Sequence, residues 1–102
     1  MLLGGTNVSA GPGSDHIESY GGEVDAGPGN DEVDNAIAAS GSEILAGPGN
    51  DIVFGSFFDD RLFGEEGDDQ LSGREGNDFI DGGPDTDTCE QDTGSGTILN
   101  CP

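Results

Sequence analysis

The chain has 102 residues, 22 of them Asp or Glu and only two Lys or Arg, for a formal net charge of −20. With 30% apolar residues, 20 Gly and no Trp, the composition is that of a disordered chain unless a pattern argues otherwise. The charge excludes nucleic acid and anionic membrane surfaces as partners, because these take Lys and Arg to neutralise phosphates; the natural counter-charge is a cation.

Along the chain, the block Ala10-Gly-Pro-Gly-Ser-Asp15 returns as Ala26-Gly-Pro-Gly-Asn-Asp31 and Ala46-Gly-Pro-Gly-Asn-Asp51. From residue 46 the sequence divides into nines without a gap: 46–54, 55–63, 64–72, 73–81 and 82–90. Units 1–9, 10–18 and 26–34 fit the same register, segment 19–25 is two residues short, and 35–45 is two long. A degenerate unit, 91–99, keeps Gly94 and Ile98 in phase. The eighth position reads Val8, Ile17, Val24, Val33, Ile44, Val53, Leu62, Leu71, Ile80, Cys89 and Ile98. A disordered chain does not hold one phase apolar through eleven units.

Each unit reads as a six-residue loop followed by a three-residue strand whose middle residue points inward. Glycines in the loop supply positive φ, and the fifth-position residues Asn30, Asn50, Asp59, Asp68 and Asn77 are expected to tolerate the left-handed region as well. Pro12, Pro28 and Pro48 stiffen their loops. Two units make one coil. The fold class is therefore all-β, a solenoid of about eleven nonapeptide units with two short parallel sheets.

No apolar run approaches the roughly 20 residues that span a bilayer. Met1-Leu2-Leu3 leads straight into Gly4-Gly5, with no signal peptide visible, so the chain reads as a fragment or the C-terminal part of something longer.

Ala46–Phe54 (AGPGNDIVF), Gly64–Ser72 (GEEGDDQLS) and Gly73–Asp81 (GREGNDFID) resemble the G-G-x-G-x-D-x-U-x repeat, with U apolar, of the RTX (hemolysin-type) calcium-binding family. The resemblance implies a right-handed parallel β-roll with Ca²⁺ between stacked loops. It implies ligation by sixth-position carboxylates and by backbone carbonyls near Gly11, Gly13, Gly27, Gly29, Gly47, Gly49, Gly64, Gly67, Gly73, Gly76 and Gly82. Calcium is a hard cation that takes six to eight oxygens, which suits such loops.

Alternate units share an edge. The first edge carries Asp15, Asp31, Asp51, Asp69 and Asp87 at the sixth position; the second carries Thr6, Gly22, Ser42, Asp60, Asp78 and Gly96. About four ions are expected on the first edge, and a fifth at the Asp60/Asp78 pair. Phe58 and Asp85 replace fourth-position glycines, Glu65 and Arg74 second-position ones. Ala10, Ala26 and Ala46 stand at the first position, implying negative φ there.

The expected organisation is a calcium-binding roll over 1–90 and, over 91–102, a cap stapled by a Cys89–Cys101 disulfide. Solenoids need such caps, and a disulfide points to an oxidising compartment. Glu18, Glu23, Asp25, Glu32, Asp34, Asp81 and Glu90 read as solvated sheet surface, and His16 has no second His for a metal pair. No catalytic constellation is recognisable. The expected function is that of a structural, non-enzymatic module of a secreted protein, serving an attached catalytic, toxin or adhesin domain. The alternative is a stand-alone ice-binding or adhesion-type solenoid. Leu45, Phe54 and Phe63, with Phe57, Phe58, Ile52 and Phe79 nearby, are out of character on so acidic a surface. They read either as a homodimer or docking face or as aromatics folded over a wider coil.

Overall fold

The computed structural model describes residues 2–3, 7–19, 22–35, 41–91 and 96–101. Thr6 and Gly94 therefore lie outside the described residues, as does the side chain of Val8. The elements are strands throughout: β1 (Leu2–Leu3), β2 (Asn7–Ser9), β3 (His16–Ser19), β4 (Gly22–Asp25), β5 (Glu32–Asp34), β6 (Ser42–Leu45), β7 (Ile52–Phe54), β8 (Arg61–Phe63), β9 (Gln70–Ser72), β10 (Phe79–Asp81), β11 (Thr88–Glu90) and β12 (Thr97–Leu99). β1 is additional to the nine-residue register.

Odd-numbered strands form one parallel six-stranded sheet in the order β1-β3-β5-β7-β9-β11, and even-numbered strands form the other. The chain thus alternates between two sheets, and each coil contributes one strand to each, which makes the fold a parallel β-solenoid. Its Cα envelope is a slab of 31 × 31 × 14 Å, thin because a single layer of side chains separates the sheets.

That layer is the eighth-position column. Ile17, Val24, Val33, Ile44, Val53, Leu62, Leu71 and Ile80 are all buried, and they pair in register across the ladders, as in Val33–Val53–Leu71 and Val24–Ile44–Leu62. Ala26 and Ala46 join the core. The ladder continues through the first loop position, with Ala26 N donating to Leu45 O and Ala46 N to Phe63 O, each at 2.9 Å. The period-two alternation therefore turns those methyl groups inward. Neither alanine has a positive φ.

The column weakens at the β12 end. Ile98 is 42% exposed and Cys89 only partly buried. Ile98 keeps its place in the column, in register with the buried Ile80, but β12 pairs with β10 alone, so Ile98 is covered from one side only. The Cys89–Cys101 disulfide does hold, across a Cα separation of 6.0 Å. It ties β11 of one sheet to the residues that follow β12 of the other.

The short and long units do not disturb the first edge. Successive sixth-position residues there lie 16, 20 and 18 apart, yet each is bonded to the next in the same way. The length changes fall entirely between β3 and β4 and between β5 and β6, on the opposite edge.

Leu45 and Phe63 are register neighbours across β6 and β8, and the Phe63 ring meets that of Phe79 at 5.8 Å. Phe54 belongs to the other sheet, where its partners are Asp34 and Ser72 and the Arg74 guanidinium lies 5.0 Å from its ring centre. Leu45, Phe54 and Phe63 therefore do not share one face. Strands of one sheet alternate along the chain with strands of the other, so successive units present their outward residues on opposite sides.

Ile44→Ala should cost about 2–5 kcal/mol, because it opens a cavity in a layer with no second layer to collapse into it. Ile98→Ala should cost under about 1 kcal/mol. Chemical denaturation of both variants in calcium-containing buffer gives the comparison.

Candidate metal-binding edge

Five loops stack along the first edge: 10–15, 26–31, 46–51, 64–69 and 82–87. Their second and fourth residues occupy the left-handed region, at φ values of 83° and 105° in the first loop, 81° and 115° in the second, and 84° and 116° in the third. The fourth position has an additional reason to be glycine. A Cβ on Gly49 would run into the carbonyl oxygen of Gly29 one coil earlier. Glu65 at φ 63° and Asp85 at φ 79° hold the same conformation with a side chain attached, at a cost of order 1 kcal/mol each. The fifth-position residues do not use it: none of Asn30, Asn50, Asp59, Asp68 or Asn77 has positive φ.

Their side chains bond between coils instead. Asn50 N donates to Asn30 Oδ1 at 2.8 Å, Asp68 N to Asn50 Oδ1 at 2.9 Å, and Thr86 N to Asp68 Oδ1 at 3.1 Å. The sixth-position aspartates form a parallel ladder of opposite polarity. Asp15 N donates to Asp31 Oδ1 at 2.9 Å, Asp31 N to Asp51 Oδ1 at 2.8 Å, Asp51 N to Asp69 Oδ1 at 2.9 Å, and Asp69 N to Asp87 Oδ1 at 2.8 Å. The fifth-position ladder was missed in the sequence because Asn and Asp were read for backbone tolerance alone. Their recurrence at one phase was the available signal.

Asp31, Asp51, Asp69 and Asp87 are at most 3% exposed. Each spends one carboxylate oxygen on the ladder. The other, Oδ2, is buried without a hydrogen-bond partner in all four and in Asp15 too. A buried unpaired carboxylate oxygen is costly, and five in one file are the strongest polar anomaly of the described residues.

The second edge differs. Ser42 N donates to Asp60 Oδ1 at 2.8 Å and Asp60 N to Asp78 Oδ1 at 2.7 Å, the same ladder as before. Here, however, both Oδ2 atoms are taken. Asp60 Oδ2 accepts from Ser56 N at 2.7 Å and Ser56 Oγ at 3.0 Å, and Asp78 Oδ2 accepts from the Gln91 amide at 2.9 Å. Among the candidate carbonyl positions, Gly73 and Gly76 belong to this edge; Gly11, Gly13, Gly27, Gly29, Gly47, Gly49, Gly64, Gly67 and Gly82 belong to the first.

Burial pushes the Asp51 carboxyl up to about 7, with repulsion from Asp31 and Glu65 adding to it. Burial likewise pushes Asp69 up to about 8, reinforced by Asp51 and Asp87 on either side. Asp31 and Asp87 are raised for the same leading reason. Among the described residues no three His, Cys, Asp or Glu side chains converge on one point. A cation held here takes part of its shell from loop carbonyls, which suits a hard divalent ion.

A two-sheet parallel solenoid of nine-residue units that files carboxylates along one edge defines a class, the nonapeptide-repeat β-roll. The family model of the RTX calcium-binding nonapeptide repeat matches the chain in four copies, over residues 43–61 and 54–89. Together the four copies span residues 43–89. No curated protein and no solved structure matches the chain.

The raised carboxyl pKa values set a pH dependence for protein kept in EDTA. A carboxyl with a higher pKa folded than unfolded binds more protons in the folded state. Its contribution is present below the unfolded value near 4 and is lost as pH rises through the folded value. In EDTA the far-UV circular dichroism signal of β-structure should therefore be strongest near pH 5 and decline towards pH 8, where the metal-free chain is disordered. A signal independent of pH over that window would show that these carboxyls titrate normally.

Proposed function

We propose that this chain is a structural calcium-binding module whose first edge holds about four Ca²⁺ ions, one in each gap between the loops ending in Asp15, Asp31, Asp51, Asp69 and Asp87. The observation that carries the reading is the file of buried, unpartnered Oδ2 atoms along that edge. The RTX repeats of residues 43–89 support it. The sixth-position carboxylates supply charge, and the second- and fourth-position carbonyls supply neutral oxygens. The ladder bonds to Oδ1 fix each carboxylate so that Oδ2 is the free donor.

Calcium is proposed to act here as part of the fold. A core one side chain thick offers little apolar burial against the ordering of a whole chain. Bound only to the folded form at a hundred times its Kd, calcium adds about 2.7 kcal/mol per site. Such a module folds where calcium is plentiful, outside the cell, and serves the stability or export of an attached domain. The Cys89–Cys101 bridge suits an oxidising compartment. Residues 1–90 form the roll in this reading, and 91–102 close it.

Titration of Ca²⁺ into EDTA-treated protein, followed by far-UV circular dichroism, should convert a disordered spectrum into a β-spectrum, with Mg²⁺ substituting poorly. A full β-spectrum in EDTA, unchanged by calcium, would overturn the proposal. Asp51→Asn should raise the calcium midpoint about tenfold to a hundredfold, the worth of one charged ligand contact.

A further inference from the structure

The loop 73–78 on the second edge has the backbone of a first-edge loop. Arg74 at φ 62° and Gly76 at φ 96° match Glu65 at 63° and Gly67 at 107° in loop 64–69. Its second- and fourth-position carbonyls and its sixth-position carboxylate oxygen all converge on one atom. The Gln91 Nε2 lies 3.1 Å from Arg74 O, 3.0 Å from Gly76 O and 2.9 Å from Asp78 Oδ2. Three oxygens of this kind surrounding a single donor is how a loop would surround a cation. Gln91 stands at the first position of the next second-edge unit, where Gly55, Gly64, Gly73 and Gly82 stand in others.

Loop 55–60 reaches the same end differently. Neither Ser56 nor Phe58 has positive φ, so its carbonyls are not presented as in the other loops. Its own buried Ser56 donates to both oxygens of Asp60, through Oγ at 2.9 and 3.0 Å and through the backbone N at 2.7 Å. The hydroxyl is held in place by Phe58 N, which donates to it at 3.1 Å.

We infer that the described part of the second edge, loops 55–60 and 73–78, carries no ion, because the chain supplies its own substitutes: the Gln91 amide fills a latent divalent-cation site formed by Arg74 O, Gly76 O and Asp78 Oδ2, and Ser56 closes Asp60. The inference revises the Asp60/Asp78 site expected from the repeat pattern. An amide whose two N–H groups are shared among three oxygens occupies the loop in place of a metal, so this loop needs no ion once the chain is folded. It rests on the proposed calcium reading only for its contrast with the first edge.

The test counts calcium bound by the full chain, by isothermal titration and by metal analysis after equilibrium dialysis against CaCl₂. Asp78→Asn and Asp60→Asn should bind as many ions as the wild type, whereas Asp51→Asn binds fewer. Gln91→Gly should bind one more than the wild type, with the added ion lost again in Gln91→Gly combined with Asp78→Asn. Loss of an ion in Asp78→Asn alone, or an unchanged count in a Gln91→Gly variant that is folded in calcium, overturns the inference. Should Gln91→Gly fail to fold, the Asp78→Asn count decides by itself. A wild type that binds no calcium defeats the first-edge reading, yet a gain of one ion in Gln91→Gly would still uphold the latent site.

Discussion

The arrangement of this molecule turns on one electrostatic constraint: carboxylates filed along an edge, four of the five buried and each with an oxygen that the protein leaves unpaired. Like charges stacked at the spacing of parallel strands repel, and burial removes the water that would screen them. The roll can relieve this with protons, which is why Asp51 and Asp69 titrate near neutrality, or with a divalent cation. The acidic composition, which looks like a signature of disorder, is a requirement of the ordered state under this constraint.

Two hydrogen-bond ladders convert the repeat into a directional stack. At the sixth position the earlier coil donates its N–H to the later side chain, as Asp51 does to Asp69. At the fifth position the later coil donates to the earlier one, as Asp68 does to Asn50. Each loop is thereby bonded both ways, and its donors and acceptors are completed only by neighbours on both sides. Stability is then a nearest-neighbour property, as in other solenoids, and the exposed Ile98 shows how quickly it decays where a strand has one neighbour.

Most of the fold was legible in the sequence, because period nine with one apolar phase specifies strands, their inward residues and their register together. Val33, Val53 and Leu71 align in the structure as they do in the repeat. The aspartate file was legible for the same reason. What the pattern could not reveal were contacts made by residues that break it. Gln91 and Ser56 look like degenerate glycine positions, and only three-dimensional placement turns them into donors. The split between Phe54 and Phe63 follows from alternation between sheets, which a linear reading of outward positions overlooked.

The uneven units carry a consequence for how such a chain can change. A two-residue deficit before β4 and a two-residue surplus before β6 leave the aspartate ladder unbroken, with steps of 16, 20 and 18 residues all ending in the same bond. One margin of the roll thus behaves as a selvedge, keeping the weave in register, while the other takes up slack. Changes of length between β3 and β4 or between β5 and β6 are thus compatible with an unbroken file, which marks those two connections as the places where a new loop, an epitope or a whole domain can be grafted.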